Sequence, residues 1–362
     1  MDLHLLPGLP NDMGLECLIR LPYRNLSAVN SVCPGWKLQI QLPEFWRQRK
    51  AAGFARRVIA MAQARVEPTR ESASIKYTNT ATPLYRMTVF EPETGDWAQL
   101  PPLPGFTNGL PMFCRVVGVG LNLVVMGGWN PVTWEVSKAV FVYNFVYATW
   151  RRGTDMPGCR RSFFACASDQ NRTVFVAGGH DEEKNALRSA MAYDVAGDRW
   201  VPLPDMAMER DECKGSFHRR MFHVIGGYET KMQGRFGASA EAFDVSTWQW
   251  DVVQEDFLDT ATCPRTCVDH DDINGYLYMC RDNNVVKQTN SSWQVVTQLP
   301  ADVSNVAYVT TAWQGKMMVI GSSKFSEPHK AFILDLNTYT WTNVNMPENF
   351  SGHVQSGCCL EI

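Results

Sequence analysis

TVFVAGGHDEEKNALRSAMAYDVAGDRW, residues 173–200, holds in order an apolar run, a glycine pair, a polar loop, an alternating segment, a tight turn and a tryptophan. The runs TVFVA and SAMAYDV have the length and patterning of half-buried strands, and Ala196-Gly197-Asp198 supplies a hairpin turn. The glycine pair permits a backbone path or a close approach that a Cβ would block. The same order recurs on both sides: LVVMGG ends at Gly128 and leads to AVFVYNF and Trp150, and FHVIGG ends at Gly227 and leads to SAEAFDV and Trp250. Tryptophans 97, 150, 200, 250, 293 and 341 form one series. They stand roughly 50 residues apart, a period that marks repeated supersecondary units.

Two units are degenerate but in register. The one before Trp293 has Cys280-Arg281 in place of the glycine pair, and the one before Trp341 has Gly321-Ser322. The first unit is incomplete: RVIAMAQA (57–64) and LYRMTVFEPETGDW (84–97) have no innermost strand ahead of them, and the tail GHVQSGCCLEI (352–362) resembles one with nothing following. The expectation is an all-β, six-bladed kelch-type β-propeller over residues 51–362, preceded by a small all-α module over residues 1–50. The C-terminal strand closes the first blade and so removes the open edges, and each Trp fills the wedge between blades. The polar stretch from about 65 to 83 is expected to be a flexible loop inside blade one.

At 362 residues, 45% hydrophobic and 20% charged, the composition is that of a folded globular chain. A net charge of -3 lacks the basic field that phosphate backbones select, so no nucleic-acid partner is expected. No signal-like or membrane-spanning stretch is evident, so no membrane partner is expected and the cytosol or nucleus is the expected location. Eleven cysteines, scattered without a CxxC pair, read as buried thiols of a reducing compartment. The close pairs Cys263/Cys267 and Cys358/Cys359 lack partners at zinc spacing, and no metal or other cofactor is expected. The glycosylation patterns at Asn171, Asn290 and Asn349 are read as chance matches.

Residues 7–50 follow a helical period. Asn11 or Asp12 is expected to cap a helix carrying Leu15, Leu18 and Ile19, and Pro22 to open a second carrying Leu26, Val29, Val32 and Cys33. Trp36, Leu38, Phe45 and Trp46 complete the apolar set. A module this small is expected to need a partner's surface to finish its burial. Its sequence resembles an F-box, through Leu9-Pro10, Leu18, Leu21-Pro22, Val32-Cys33, Trp36 and Phe45-Trp46. With RRSFFACASD, VAGGHDEEKNAL, ERDECK and GHVQSGC, nearly the whole chain resembles the plant F-box/kelch-repeat proteins. One departure is Pro34-Gly35, where Pro34 should start a new helix.

That resemblance implies a non-catalytic, substrate-recognition subunit of an SCF-type ubiquitin ligase. The F-box would bind a Skp1-like adaptor, and through it a cullin, while the propeller holds a protein substrate for degradation. It further implies phenylalanine ammonia-lyase of phenylpropanoid metabolism as substrate, with type-B response regulators of cytokinin signalling as the alternative. Adaptor contacts are expected from Leu9, Pro10, Leu15, Leu18, Leu21, Pro22, Leu26, Val29, Val32, Cys33, Trp36, Phe45 and Trp46.

The other class is a kelch scaffold or enzyme. No GxSxG, P-loop or HExxH motif occurs. The iron pattern of specifier-type propellers fails at a ligand, because Glu255 and Asp259 are followed by Cys263 instead of His. Asp269, Asp271 and Asp272 read as a solvated loop before the turn Asn274-Gly275. For binding, Arg115, Arg161, Lys214 and Arg265 are expected at the starts of successive innermost strands, as either an electropositive mouth or locally paired cations. Trp129, Asn130, His180, Asp181, Glu182, Tyr228 and Glu229 are expected to border that face.

Overall fold

The computed structural model describes residues 5–66, 83–106, 109–269, 276–289, 292–310, 313–324 and 327–362. Residues 67–82 of the polar loop, together with Asp271, Asp272 and the turn Asn274-Gly275, lie outside the described residues. Helices α1 (Asn11–Ile19), α2 (Leu26–Val29), α3 (Pro34–Gln41) and α4 (Pro43–Ala51) come first. Pro10, not Asn11 or Asp12, is the N-cap of α1; the Asn11 Oδ1 instead accepts from the Leu5 N–H at 2.9 Å. Pro22 opens only a 3₁₀ turn and the short α2, so Val32 and Cys33 fall beyond it. Cys33 caps α3, its Sγ accepting from the Trp36 N–H at 3.5 Å, and Pro34 takes the first turn of that helix.

The rest is six four-stranded antiparallel sheets. From axis to rim, blade 1 is β24 (Val354–Glu361), β1 (Arg57–Ala64), β2 (Tyr85–Glu91) and β3 (Asp96–Gln99). Blade 2 is β4 (Arg115–Val119), β5 (Asn122–Met126), β6 (Val140–Asn144) and β7 (Thr149–Gly153). Blade 3 is β8 (Ala165–Ser168), β9 (Thr173–Ala177), β10 (Ala190–Asp194) and β11 (Arg199–Leu203). Blade 4 is β12 (Lys214–His218), β13 (Met221–Ile225), β14 (Ala240–Asp244) and β15 (Gln249–Trp250). Blade 5 is β16 (Val268–Asp269), β17 (Leu277–Arg281), β18 (Asn284–Thr289) and β19 (Ser292–Gln298). Blade 6 is β20 (Asn305–Val309), β21 (Lys316–Ser322), β22 (Lys330–Asp335) and β23 (Thr340–Val344).

Closure is as the tail implied. Strand β24 pairs with β1 from Arg57↔Glu361 to Gln63↔Val354 across nearly the whole chain, and Arg56 and Ile362 exchange two backbone hydrogen bonds of 2.7 and 2.8 Å. Second strands such as β5 and β9 are apolar on both faces because each is sandwiched by neighbouring blades; Val174 to Ala177 are all buried.

The six series tryptophans do more than fill wedges. Each lies on the outermost strand, and its indole N–H donates to a backbone carbonyl beside the preceding blade. Trp150 reaches Pro101 O at 2.8 Å, Trp200 Thr154 O at 2.9 Å, Trp250 Pro204 O at 2.7 Å and Trp293 Phe257 O at 3.1 Å. Trp341 reaches Gln298 O at 2.9 Å and Trp97 reaches Asn345 O at 3.2 Å, which carries the series across the closure.

Removal of residues 352–362 should leave the inner edge of β1 unpaired. The truncated chain is expected to aggregate on size exclusion and to melt well below the full chain; equal melting would overturn this role of β24. Trp200→Phe removes the indole N–H together with part of the ring that packs on Tyr193, so a loss of about 1–3 kcal/mol is expected in chemical denaturation.

Candidate functional site

Antiparallel blades give the wheel two chemically distinct faces. The lower face carries the hairpins between first and second strands and the turns between third and fourth. The upper face carries the lead-in to each innermost strand and the loop after each glycine pair.

The helical module sits on the lower face of blades 1 and 2. Arg24 pairs with Glu91 and lies 3.6 Å from Asp96, on either side of the β2–β3 turn. The Tyr23 ring meets Phe145 edge-on at 6.0 Å, the Gln41 Nε2 donates to the Tyr147 hydroxyl at 2.5 Å, and Lys50 pairs with Glu361 at 2.6 Å. Burial pushes the Tyr23 phenol up to about 12. Leu18, Leu26, Val29 and Phe45 are buried inside the module, in one core with blades 1 and 2. They therefore support its shape and do not face a partner. Leu9, Leu15, Leu21, Cys33, Trp36 and Trp46 are partly buried, whereas Pro10, Pro22 and Val32 are exposed. Leu38, 62% exposed, lines an apolar groove with Leu5, Leu15 and Pro34, and every residue of that lining belongs to the helical module. Arg49, unremarkable in the sequence, is buried and donates from Nη1 to the carbonyls of Ile19 at 2.5 Å and Leu21 at 2.7 Å, locking the end of α1 to α4. Burial lowers it to about 10, so it keeps its charge at neutral pH.

On the upper face the expected ring of four cations is not formed. Backbone bridges pair Met112 with Trp129, Ser162 with His180 and Asp211 with Tyr228, which fixes the register between blades. Arg115 and Lys214 then occupy equivalent strand starts, and Ala165 takes the blade 3 position. Arg161 stands four residues earlier, equivalent to Arg210, and is 2% exposed. It donates to Gly178 O and Ser189 O at 3.2 Å and to Ser189 Oγ at 2.8 Å. Arg210 repeats the pattern on Gly226 O, Ser239 O and Ser239 Oγ, and adds a buried pair with Glu241 at 3.1 Å. Both are internal staples for the glycine-pair turn, whose tightness is plain at Gly179, where a Cβ would collide with Ser162 O. Arg115 is half-buried and donates to Phe164 O at 2.9 Å. Arg265 lies in a 3₁₀ turn ahead of β16 and is exposed.

Two of the residues after the glycine pairs, Trp129 and His180, act as links between blades, whereas Tyr228 bonds within its own blade. The Trp129 Nε1 donates to Ser162 Oγ at 2.8 Å, and the His180 Nδ1 meets Asp211 Oδ2 at 2.8 Å. Tyr228 donates its hydroxyl to Glu212 at 3.1 Å. His180 and Tyr228 are buried, so they do not project as binding groups. Asn130 and Asp181 spend their side-chain oxygens on their own loops, accepting from Val132 and Thr133, and from Glu183 and Asn185. Glu182 and Glu229 are exposed, and the large apolar side chains that project here are Phe113, at 44%, Val132, at 66%, and Trp134, at 51%. Phe113, Phe163 and Glu212 occupy the position before the last residue of three equivalent lead-ins, all with φ of 50 to 57°. That left-handed turn holds the Phe113 and Phe163 rings 5.0 Å apart on the upper face.

Where blades 5 and 6 are degenerate the upper face opens. In blade 5 the two-residue turn Asp282-Asn283 replaces the long loops that follow the glycine pairs of blades 2 to 4. A cleft of about 750 Å³ remains, reaching from Leu299 and Cys280 past Arg265, Val306 and Ala307 to Tyr85, His329 and His353. Asp259, the middle residue of the failed iron pattern, pairs with Arg281. Among the described residues, no group of three or more His, Cys, Asp or Glu side chains is placed to hold a metal.

The Kelch motif matches residues 160–207, which contain blade 3. Two F-box/kelch-repeat proteins of Arabidopsis thaliana are each 48% identical to this chain, over 99% of it and 100% of their own lengths. A third from the same plant is 35% identical over 72% of this chain and 68% of its own.

Arg210→Ala would strand Glu241 in the interior and should cost about 3–5 kcal/mol in chemical denaturation. Arg161→Ala, which orphans only carbonyls and a hydroxyl, should cost about 1–3 kcal/mol; the reverse order would refute the staple assignment. Burial, with His218 beside one and His329 and Arg265 beside the other, holds His223 and His353 down to about 4 from 6.5. Below pH 6.5 the unfolded chain binds protons that the folded chain refuses, so stability should fall as pH drops from 6.5 toward 4. Combined His223→Gln and His353→Gln should flatten that slope in pH-dependent melts.

Proposed function

This chain belongs to the F-box/kelch-repeat proteins, and from that premise we propose that it is the substrate-recognition subunit of an SCF-type ubiquitin ligase, non-catalytic itself. The helical module is the F-box, binding a Skp1-like adaptor and through it a cullin; the propeller presents a protein substrate for ubiquitination. The observation that carries this reading is the disposition of the module. One side is fastened to the lower face of blades 1 and 2, and the other leaves Val32, 60% exposed, Leu38 and the groove beside Leu15 open to a partner. Exposed apolar side chains on so small a module are what a docking surface requires. Substrate selection is then the work of the upper face, directed away from the adaptor, through Arg115, Lys214, Arg265 and the Trp129–Asn130 and Asp181 loops. Eleven free thiols fit a cytosolic or nuclear setting. The resemblance makes phenylalanine ammonia-lyase the first substrate to test, with type-B response regulators second.

The full chain should co-purify with a Skp1-like protein. Val32→Asp combined with Leu38→Asp should reduce capture at least about tenfold, since an unpaired charge buried in an interface costs more than 1.4 kcal/mol, while the propeller melt stays unchanged. Intact capture by this variant would overturn the assignment of the adaptor face.

A further inference from the structure

The cleft at the junction of blades 5, 6 and 1 exists because the sequence departs from its own repeat there. In blades 2 and 3 the loops after the glycine pairs bridge to the next blade through Trp129–Ser162 and His180–Asp211, and the blade 4 loop bonds its own lead-in through Tyr228–Glu212. Blade 5 has only the two-residue turn Asp282-Asn283 there, and among the described residues the upper ends of β17 and β20 line the cleft together with His353.

The chemistry of the walls is selective. Leu299, Val306 and Ala307 supply an apolar side. Arg265 is exposed; its Nη2 donates to Val306 O at 3.0 Å and, among the described residues, no carboxylate lies in ion-pair range of it. Arg281 across the cleft is already committed to Asp259 through two hydrogen bonds. His353 is joined through Nδ1 to the Tyr85 hydroxyl at 3.0 Å and lies with its ring 5.5 Å from that of His329. Burial keeps both imidazoles low, His353 at about 4, so they are neutral hydrogen-bonding groups at physiological pH. The remaining wall charges are the Arg265 guanidinium and, at the β17–β18 turn 4.0 Å from Arg281, the exposed Asp282 carboxylate, so an acidic side chain is directed to the Arg265 end. The lining runs from Asp282 and Asn283 of the β17–β18 turn to Tyr85 and His353, a length that suits an extended chain.

We propose that this cleft anchors the substrate by taking an extended segment of a partner protein, with one Asp or Glu side chain on Arg265 and a neighbouring apolar side chain against Val306, Ala307 and Leu299. The inference rests on the receptor reading for its biological sense, but its chemistry is independent of adaptor binding. The site uses only Arg265 of the four cations first expected at the mouth. An acidic side chain there gains a charge-assisted, partly desolvated hydrogen bond, and the apolar wall fixes which residues flank it.

The test uses the purified full chain and a library of random peptides joined to a carrier at both ends, so that no free terminal carboxylate is offered. Selected sequences are expected to share Asp or Glu beside an apolar residue. Synthetic versions with blocked ends should lose about tenfold or more in affinity to Arg265→Gln. Arg265→Lys should recover part of the loss, and Val252→Ser, 90% exposed just beyond β15 and outside the cleft, should leave affinity unchanged. Failure to enrich any peptide, enrichment without an acidic residue, or equal binding by Arg265→Gln overturns the proposal. Adaptor capture is measured on the same preparation. A chain that selects acidic peptides and ignores the adaptor sinks the receptor reading alone, and one that captures the adaptor and shows no Arg265-dependent peptide sinks the cleft alone.

Discussion

An indole N–H reaching back to the carbonyl of the blade before it is the contact on which the wheel depends. Six blades of four strands have few backbone hydrogen bonds between them, so neighbouring sheets are held by side-chain packing that is strong but not directional. The tryptophan adds direction. Its ring fills the wedge that widens toward the rim, and its donor sets how far one outer strand slides along the next. Because the pattern runs from Trp97 back to Asn345, the ring is registered at its seam as it is elsewhere. The strand pairing of β24 with β1 then joins the two ends of the chain within one sheet.

A second set of contacts works at the upper face. Arg161 and Arg210 take carbonyls from both sides of a glycine-pair turn, and Trp129 and His180 bind the lead-in of the following blade. Buried guanidiniums in such places are held by several acceptors each, which is the condition under which a buried charge is tolerated. The consequence for function is spatial. Blades 3 and 4 carry the staples and blade 2 is tied to blade 3 through Trp129, and the opening is displaced to the sector where these contacts are missing.

The helical module shows how a segment too small to fold around its own core obtains one. Leu18, Leu26, Val29 and Phe45 join the cluster of blades 1 and 2, and Arg24, Gln41 and Lys50 fasten the rim of that contact. The module and the propeller therefore share a core, and the direction from adaptor side to upper face is set by packing and not by a linker.

The sequence by itself determined the period, the six units, the degenerate members and the seam, because strand alternation, glycine pairs and the tryptophan series are local patterns repeated at one spacing. It also determined the helical character of residues 7–50 and the new helix at Pro34, where proline geometry is local too. What only the tertiary structure decided is which side chains face outward. Arg161 and Arg115 both precede an innermost strand, and the offset that buries one and leaves the other at the mouth depends on bridges such as Ser162↔His180 that join distant residues. A comparison of RRSF with MERDEC would have paired Arg161 with Arg210, since each is followed by the residue that meets the glycine-pair loop. Arg24 and Arg49 had no signal of this kind, because their partners Glu91, Ile19 and Leu21 are brought near only when helices pack on blades. The cleft stands between these cases: the missing glycine pair at Cys280-Arg281 was legible, but the space it leaves is a property of three blades meeting, and no single segment of chain encodes a volume.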